Sequence, residues 1–172
     1  MEFEILYAIQ NLRCEFLDIF MKYISFVGNL GMIWIAAGIF MLFFKNYRKC
    51  GIAVLIALIF CLILGNALIK NLVARSRPCW IDKSINMIIS VPRDYSFPSG
   101  HTVAAFAVAP VVLFYHKKWG IVAYVLAFLM AFSRLYLFVH FPTDILGGVV
   151  LGSFNAFLGI LITNKIYKKQ IA

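Results

Sequence analysis

The chain has 172 residues, of which 63% are hydrophobic and 13% charged, with a mean hydropathy of +0.92. A soluble domain of this length cannot hide so much apolar surface, so lipid is the solvent that these numbers imply. Sixteen basic against 7 acidic residues give a net charge of +9, but the cations sit in short segments between apolar runs and form no continuous patch. That pattern is the loop charge of a membrane protein and argues against a nucleic-acid partner.

Residues 1–27 mix two signals. Glu2, Glu4, Arg13, Glu15, Asp18 and Lys22 interrupt the apolar pattern, while Leu17, Phe20, Met21 and Ile24 keep helical spacing. This predicts an amphipathic helix lying in the membrane interface. A sixth span hidden in this stretch is the competing reading, opposed by the penalty for charge at the bilayer centre. The segment has neither the basic start nor the apolar run of a signal peptide, so insertion is expected to rely on internal spans.

A hydrocarbon core of about 30 Å requires roughly 20 apolar helical residues. Runs near that length follow at 28–44, 50–69, 98–115, 119–137 and 143–163, the first of them short and open to extension upstream. The expected fold is all-α: a membrane helical bundle of five transmembrane helices, preceded by the interfacial segment. It forms one domain over residues 1–172, with the bundle at 28–164.

Basic residues follow the first span (Lys45, Arg48, Lys49), the third (Lys117, Lys118) and the fifth (Lys165, Lys168, Lys169), with no acid among them. By the positive-inside rule, odd-numbered spans end in the cytoplasm. The 70–97 loop and the 138–142 connection then lie on the outer face of a bacterial-type inner membrane, with the N-terminus, and the C-terminus is cytoplasmic. Cys14, Cys50, Cys61 and Cys79 lack the paired spacing of a zinc site and read as small apolar residues. Cys14 and Cys79 could share the outer face, but nothing in their spacing argues for a disulfide.

The outer segments hold the chemistry. Lys70 and Arg77 are seven apart, so a span continuing through them puts both cations on one helical face, with Pro78 helping to end the helix. Pro98-Ser99-Gly100-His101 precedes an apolar run. Ser99 is a suitable N-cap, and the free amides of Gly100 and His101 would open a helix whose dipole favours anions. Arg134 ends the fourth span beside Ser133, whose hydroxyl can donate to an anion. His140 and Asp144 are four apart across Pro142, so the carboxylate can fix one imidazole nitrogen and leave the other as a nucleophile.

Taken singly, each motif has a plainer reading: interfacial cations snorkelling to headgroups, an ordinary capped helix, an acidic helix start beside an incidental histidine. Taken together, Lys70, Arg77 and Arg134 would repel one another in a partly dehydrated site unless an anion joined them, and a phosphoryl group satisfies all three. Arg75 and Arg93 have no motif position and are expected to attract anionic headgroups. His116, beside Lys117, is assigned no role. Beyond residue 18 the acids are Asp82, Asp94 and Asp144, too few for the carboxylate cage of a two-metal phosphatase. No metal or other cofactor is expected, and the cations and helix amides would neutralise the transferring group instead.

These residues resemble the type 2 phosphatidic acid phosphatase superfamily, whose motifs are KxxxxxxRP, PSGH and SRxxxxxHxxxD. Every specified position matches between Lys70 and Asp144. The resemblance implies that Lys70, Arg77, Ser99, Gly100 and Arg134 bind phosphate and that His140 attacks phosphorus to form a phosphohistidine. It further implies His101 as leaving-group acid and Asp144 as the group orienting His140. Residue spacing alone does not separate acid from nucleophile. The family usually has six spans, and a clear counterpart of the first is not visible here.

Small bacterial members of the superfamily act on undecaprenyl diphosphate, phosphatidylglycerol phosphate or phosphatidate, so the implied partners are a lipid phosphate and the membrane lipids around it. The 79–97 loop, with Trp80, Lys83 and Arg93, is expected to shape headgroup choice. Two rival readings are vanadate-dependent haloperoxidation, disfavoured by membrane burial, and a lipid-headgroup binding or transport protein without hydrolysis. The second is disfavoured because two histidines and an orienting aspartate exceed what binding needs.

Overall fold

Every regular element of the computed structural model, which describes residues 1–169, is a helix, and no strand occurs among the described residues. In chain order they are α1 (Glu2–Gln10), α2 (Glu15–Val27), α3 (Met32–Leu42), α4 (Arg48–Phe60), α5 (Lys70–Val73), α6 (Pro78–Ile81), α7 (Gly100–Tyr115), α8 (Lys117–Tyr136) and α9 (Pro142–Lys169). A π-helical stretch, Cys61–Ile69, carries α4 into α5. Such widened turns are common beside functional sites, and this one delivers Lys70.

Three helical stretches are long and apolar enough to cross a membrane: Arg48–Ile81, Lys117–Tyr136 and Pro142–Lys169. A fourth arises if Glu15–Val27 and Asn29–Leu42, bent by 44°, count as one broken crossing. The bend passes through Leu30 (φ 54°) and Gly31 (φ 68°), both left-handed. Helix α7 is apolar but has only 16 residues. The chain is thus a multi-pass membrane protein, with three or four candidate spans by length and composition where the sequence suggested five.

Residues 1–27 also depart from a helix floating on headgroups. Three of the six charges that disturb the apolar pattern are spent on specific partners. Glu2 binds Arg75 and Thr143, and Arg13 binds both Asp18 and the Asn86 carbonyl. Asp18 also accepts from the Tyr136 hydroxyl at 2.6 Å. Charge that composition assigns to the interface is used to bolt this segment onto the loops of the bundle.

Helix α7 is central. From Thr102 to Ala109 every residue is buried, against α8 on one side and α9 and α4 on the others. Lipid tails are as apolar as Leu, so burial of apolar surface does not drive such helices together, and close backbone approach through small residues does. Gly152 and Gly159 provide it on α9. A Cβ would stand 2.6 Å from the Val103 carbonyl at the first and 2.5 Å from the Ala53 carbonyl at the second.

The two ends of the bundle differ in chemistry. At one end the Tyr47 ring lies 4.3 Å from His116, Lys49 sits over the Tyr167 ring at 4.6 Å, and the Tyr115 hydroxyl donates to Asn164. The three basic segments therefore share this end. The other end holds the three motifs over a second, aromatic-rich core of Leu6, Met21, Cys79, Tyr136–Val139 and Phe141, against which Phe3 and Trp80 pack. Cys14 and Cys79 are both free thiols.

Candidate active site

Lys70 and Arg77 do not share one helical face. The helix stops at Val73 because Ala74 turns left-handed (φ 47°), and Arg77 is instead the N-cap of α6, with Pro78 starting that short helix. The two cations still meet, because the Asp94 carboxylate takes the Lys70 ammonium on one oxygen and Arg77 Nη2, at 2.9 Å, on the other. Both side chains are nearly buried, 10% and 3% exposed, while Asp94 is 55% exposed. Partial burial raises the Asp94 pKa, but the Lys70 and Arg77 cations outweigh it and bring it down to about 2.

The Arg77 guanidinium is held on every side. Its Nε donates to the Asp94 carbonyl at 2.6 Å and Nη1 to the Val139 carbonyl at 2.8 Å. Nη1 also lies 3.1 Å from His140 Nε2. A guanidinium has only hydrogens to offer, so Nε2 is the acceptor and the His140 proton belongs on Nδ1.

Nδ1 faces Ser96 Oγ at 3.4 Å and Asp144 Oδ2 at 3.5 Å, and the Ser96 hydroxyl donates to the same Asp144 oxygen. Burial, with Arg77 and Arg134 nearby, pushes the His140 pKa down to about 3 although Asp144 pulls it up. The ring is therefore neutral at physiological pH. The tight turn that presents it runs through Phe138, itself left-handed (φ 58°).

Asp144 is fully buried and its carboxylate is shared. Besides Ser96 it accepts the Phe141 amide at 2.8 Å and Arg75 Nη1 at 2.7 Å. Arg75 in turn holds Glu2 at 2.6 Å and lies over the Phe141 ring. An arginine with no motif position thus grips the carboxylate that faces His140 Nδ1.

Ser99 caps α7 as the sequence predicts, accepting the Thr102 hydroxyl at 2.9 Å, and its own amide reaches the Asp144 carbonyl at 3.2 Å. A Cβ on Gly100 would lie 4.0 Å from Lys70 Nζ and 3.3 Å from Asn66 Oδ1. The start of α7 is therefore beside the Lys70 cation, where a side chain would crowd an arriving anion.

His101 and Arg134 meet on Ser25. His101 Nε2 lies 3.2 Å from both the Ser25 carbonyl and Asn29 Oδ1, and Arg134 Nη1 donates to Ser25 Oγ. The carbonyl can only accept, so Nε2 carries the His101 proton. Arg134 Nε is buried with no hydrogen-bond partner among the described residues. A buried guanidinium donor without an acceptor is costly. Ser133 does not point at this cluster, since its hydroxyl bonds back to the Met130 carbonyl at 2.7 Å.

All eight residues singled out from sequence lie at this end of the bundle; Asp94 joins Lys70 to Arg77, Ser96 joins His140 to Asp144, and Ser25 joins His101 to Arg134. Sequence reasoning missed those three links and also Asn29, Arg75 and Glu2. Asp94 and Ser96 stand just before Pro98, and an acid there, in a loop otherwise poor in acids, was the available signal. Ser25 and Asn29 carried none, because helix α2 meets α7 only in the tertiary fold. An apolar groove of about 450 Å³ opens between Ile69, Pro98, Gly147, Leu151 and Phe154, the first two being the chain neighbours of Lys70 and Ser99.

The PAP2 superfamily model matches residues 51–168, more than half of the chain. The chain belongs to the PAP2 superfamily. It is similar to an undecaprenyl-diphosphatase of Sulfolobus acidocaldarius, 34% identical over 131 residues, which cover 76% of this chain and 63% of that relative. It is also similar to a lipid A 4'-phosphatase of Bacteroides thetaiotaomicron, 26% identical over 175 residues, covering 95% and 77% of the two chains. Among solved structures it matches the transmembrane PAP2-type phosphatidylglycerolphosphate phosphatase of Bacillus subtilis, with a TM-score of 0.76 and 30% identity over 95% of this chain and 84% of that one. This PAP2 chain thus spans a little under two thirds of the first relative's length and most of the structural one.

Proposed function

We propose that the chain is a membrane phosphatase that removes a terminal phosphate from a lipid phosphate or diphosphate, without a metal, through a phosphohistidine on His140. The observation that carries this reading is the Arg77 guanidinium. It holds an oxyanion, the Asp94 carboxylate, on one nitrogen and faces the Nε2 lone pair of a neutral histidine with the other. A phosphoryl oxygen in place of the carboxylate would bring phosphorus toward that lone pair.

In this reading Lys70, Arg77, Arg134, the Ser99 hydroxyl and the first amides of α7, at Gly100 and His101, hold the phosphoryl oxygens, and the partnerless Arg134 Nε gains an acceptor. The His140 Nε2 lone pair forms the N–P bond as the bond from phosphorus to the leaving oxygen breaks. His101 gives its Nε2 proton to that oxygen, which takes the place of Asn29 Oδ1 as acceptor. Asp144 stabilises the positive charge that develops on His140. Water then attacks phosphorus, returning its proton to His101 and releasing phosphate and free His140. The positive charges and helix amides supply electrostatic stabilisation of the kind that metals supply elsewhere.

The apolar groove beside Lys70 and Ser99 suits a hydrocarbon tail arriving laterally from the bilayer. Five crossings, with the bent α2–α3 pair as the first, put the basic end in the cytoplasm and the site on the outer face of the cell membrane. Undecaprenyl diphosphate is the favoured substrate, in line with the undecaprenyl-diphosphatase relative.

The test is phosphate release by the detergent-purified protein, in excess EDTA, from matched undecaprenyl diphosphate, phosphatidylglycerol phosphate and phosphatidate. EDTA-resistant release that disappears in His140→Ala supports the reading, and the ranking names the substrate. Headgroup binding with no release from any of the three would favour the binding protein.

A further inference from the structure

We propose that Asp94 is a resident anion in the phosphate cradle that restricts it to terminal phosphates and keeps phosphodiester headgroups out. The proposal rests on the phosphatase reading and adds a specificity-determining residue to it. Lys70 and Arg77 are nearly buried and close together, so in the absence of ligand they require a counter-anion. Asp94 supplies it by bridging both.

Two features make Asp94 a displaceable occupant and not a fixed strut. Its side chain is 55% exposed, so the carboxylate can rotate into water and be rehydrated as it gives up the two cations to an incoming anion. Its backbone is held separately, by Arg77 Nε on the Asp94 carbonyl and Arg77 Nη2 on the Tyr95 carbonyl. The carboxylate can therefore leave while the loop stays in place.

Displacement then becomes a comparison of charges. The phosphodiester of a bulk phospholipid carries one negative charge, shared over two free oxygens, and offers the two cations no more than the carboxylate already gives. A terminal phosphate carries about 1.5 to 2 negative charges at pH 7 and three acceptor oxygens. It can take over Lys70 and Arg77 and still reach Arg134. In a membrane crowded with diester headgroups, such a threshold keeps the cradle open for the rare lipid that ends in phosphate.

The experiment uses the full chain in detergent, as wild type, Asp94→Asn and Asp94→Glu. Calorimetric titration with orthophosphate and with dimethyl phosphate reads binding. Phosphate release from phosphatidate in micelles of rising phosphatidylglycerol content reads competition. Asp94→Asn should bind orthophosphate about fivefold more tightly, acquire measurable dimethyl phosphate binding and become inhibited by phosphatidylglycerol. Asp94→Glu, which keeps the carboxylate, should keep the discrimination against dimethyl phosphate that Asp94→Asn loses.

Weaker orthophosphate binding in Asp94→Asn would overturn the proposal, because it would make Asp94 a strut that positions Lys70 and Arg77. Unchanged discrimination against the diester would overturn it too. Asp94→Ala repeats the comparison if the asparagine variant folds poorly. The binding arm requires no turnover: a selectivity shift in a protein that releases no phosphate from undecaprenyl diphosphate, phosphatidylglycerol phosphate or phosphatidate would sink the phosphatase reading and leave the gate standing. Normal turnover with unshifted selectivity would do the reverse.

Discussion

Nη1 of Arg77 lies 3.1 Å from Nε2 of His140, so the lone pair proposed to attack phosphorus is capped by the cation proposed to hold the phosphoryl group. The contact keeps the imidazole in the tautomer with hydrogen on Nδ1 and releases Nε2 only when Arg77 turns to an anion. Lysine lacks the planar fork that serves both partners. Arg77→Lys should lower kcat about 100-fold, and His140→Ala should abolish turnover. Both are read by phosphate release from protein whose melting in detergent matches wild type. Near-normal turnover in either variant rules out the proposed attack.

His101 is assigned to protonate the leaving oxygen, so its loss should matter most for poor leaving groups. His101→Gln should lower kcat by about 10²–10⁴-fold for a lipid monoester, whose leaving group is an alkoxide. The loss should be clearly smaller for a diphosphate, whose leaving phosphate needs less help. Equal losses on the two substrates would assign His101 to binding.

The His140 pKa, pushed down to about 3 by burial and the nearby arginines, makes a signed prediction. Between pH 3 and 6.5 the unfolded chain binds a proton at this residue that the folded chain refuses, so stability falls as pH drops below about 6.5. From pH 6.5 to 5 the contribution is about 2 kcal/mol. The melting midpoint should therefore drop over that interval, and His140→Asn should flatten the slope. A nucleophile neutral down to about pH 3 also gives kcat/KM no acid limb from His140 between pH 5 and 8. A His140-dependent limb in that range would show that the folded ring titrates near its ordinary value.

Arg75 acts on chemistry through Asp144, which it holds at 2.7 Å, and is itself held by Glu2. Arg75→Ala should reduce kcat about tenfold, or ~1.4 kcal/mol in the barrier, with KM little changed, and Arg75→Lys should restore part of the loss. An equal rise in KM would mean that Arg75 meets the substrate directly.

Gly152 sits where a Cβ would stand 2.6 Å from the Val103 carbonyl. Gly152→Ala should push α9 off α7 and cost about 1–3 kcal/mol, seen as a lower melting midpoint. Because α7 and α9 carry His101 and Asp144 from their starts, activity per folded molecule should fall as well. A melting midpoint equal to wild type would show that the two helices yield without strain.

The sequence by itself determined the solvent and the helical class, and it pointed to eight candidate residues that the fold gathers at one end of the bundle. Local chemistry reveals all of these. Apolar runs need lipid, a serine before a glycine starts a helix, and basic segments gather at one end. What it could not decide are the partners made by distant segments. Lys70 and Arg77 meet on Asp94 and not along one helical face, because Ala74 breaks the helix that seven-residue spacing assumed. Ser25 joins His101 to Arg134, and Arg75, held by Glu2 from the start of the chain, reaches Asp144. Isolated from their partners, these residues read as interfacial charge or helix filler. Only closing the loop before α7 brought Lys70 and Arg77 to Asp94, and only packing α2 against α8 gave buried Arg134 the Ser25 hydroxyl, contacts that matter because low-dielectric burial penalises a charge without a polar partner.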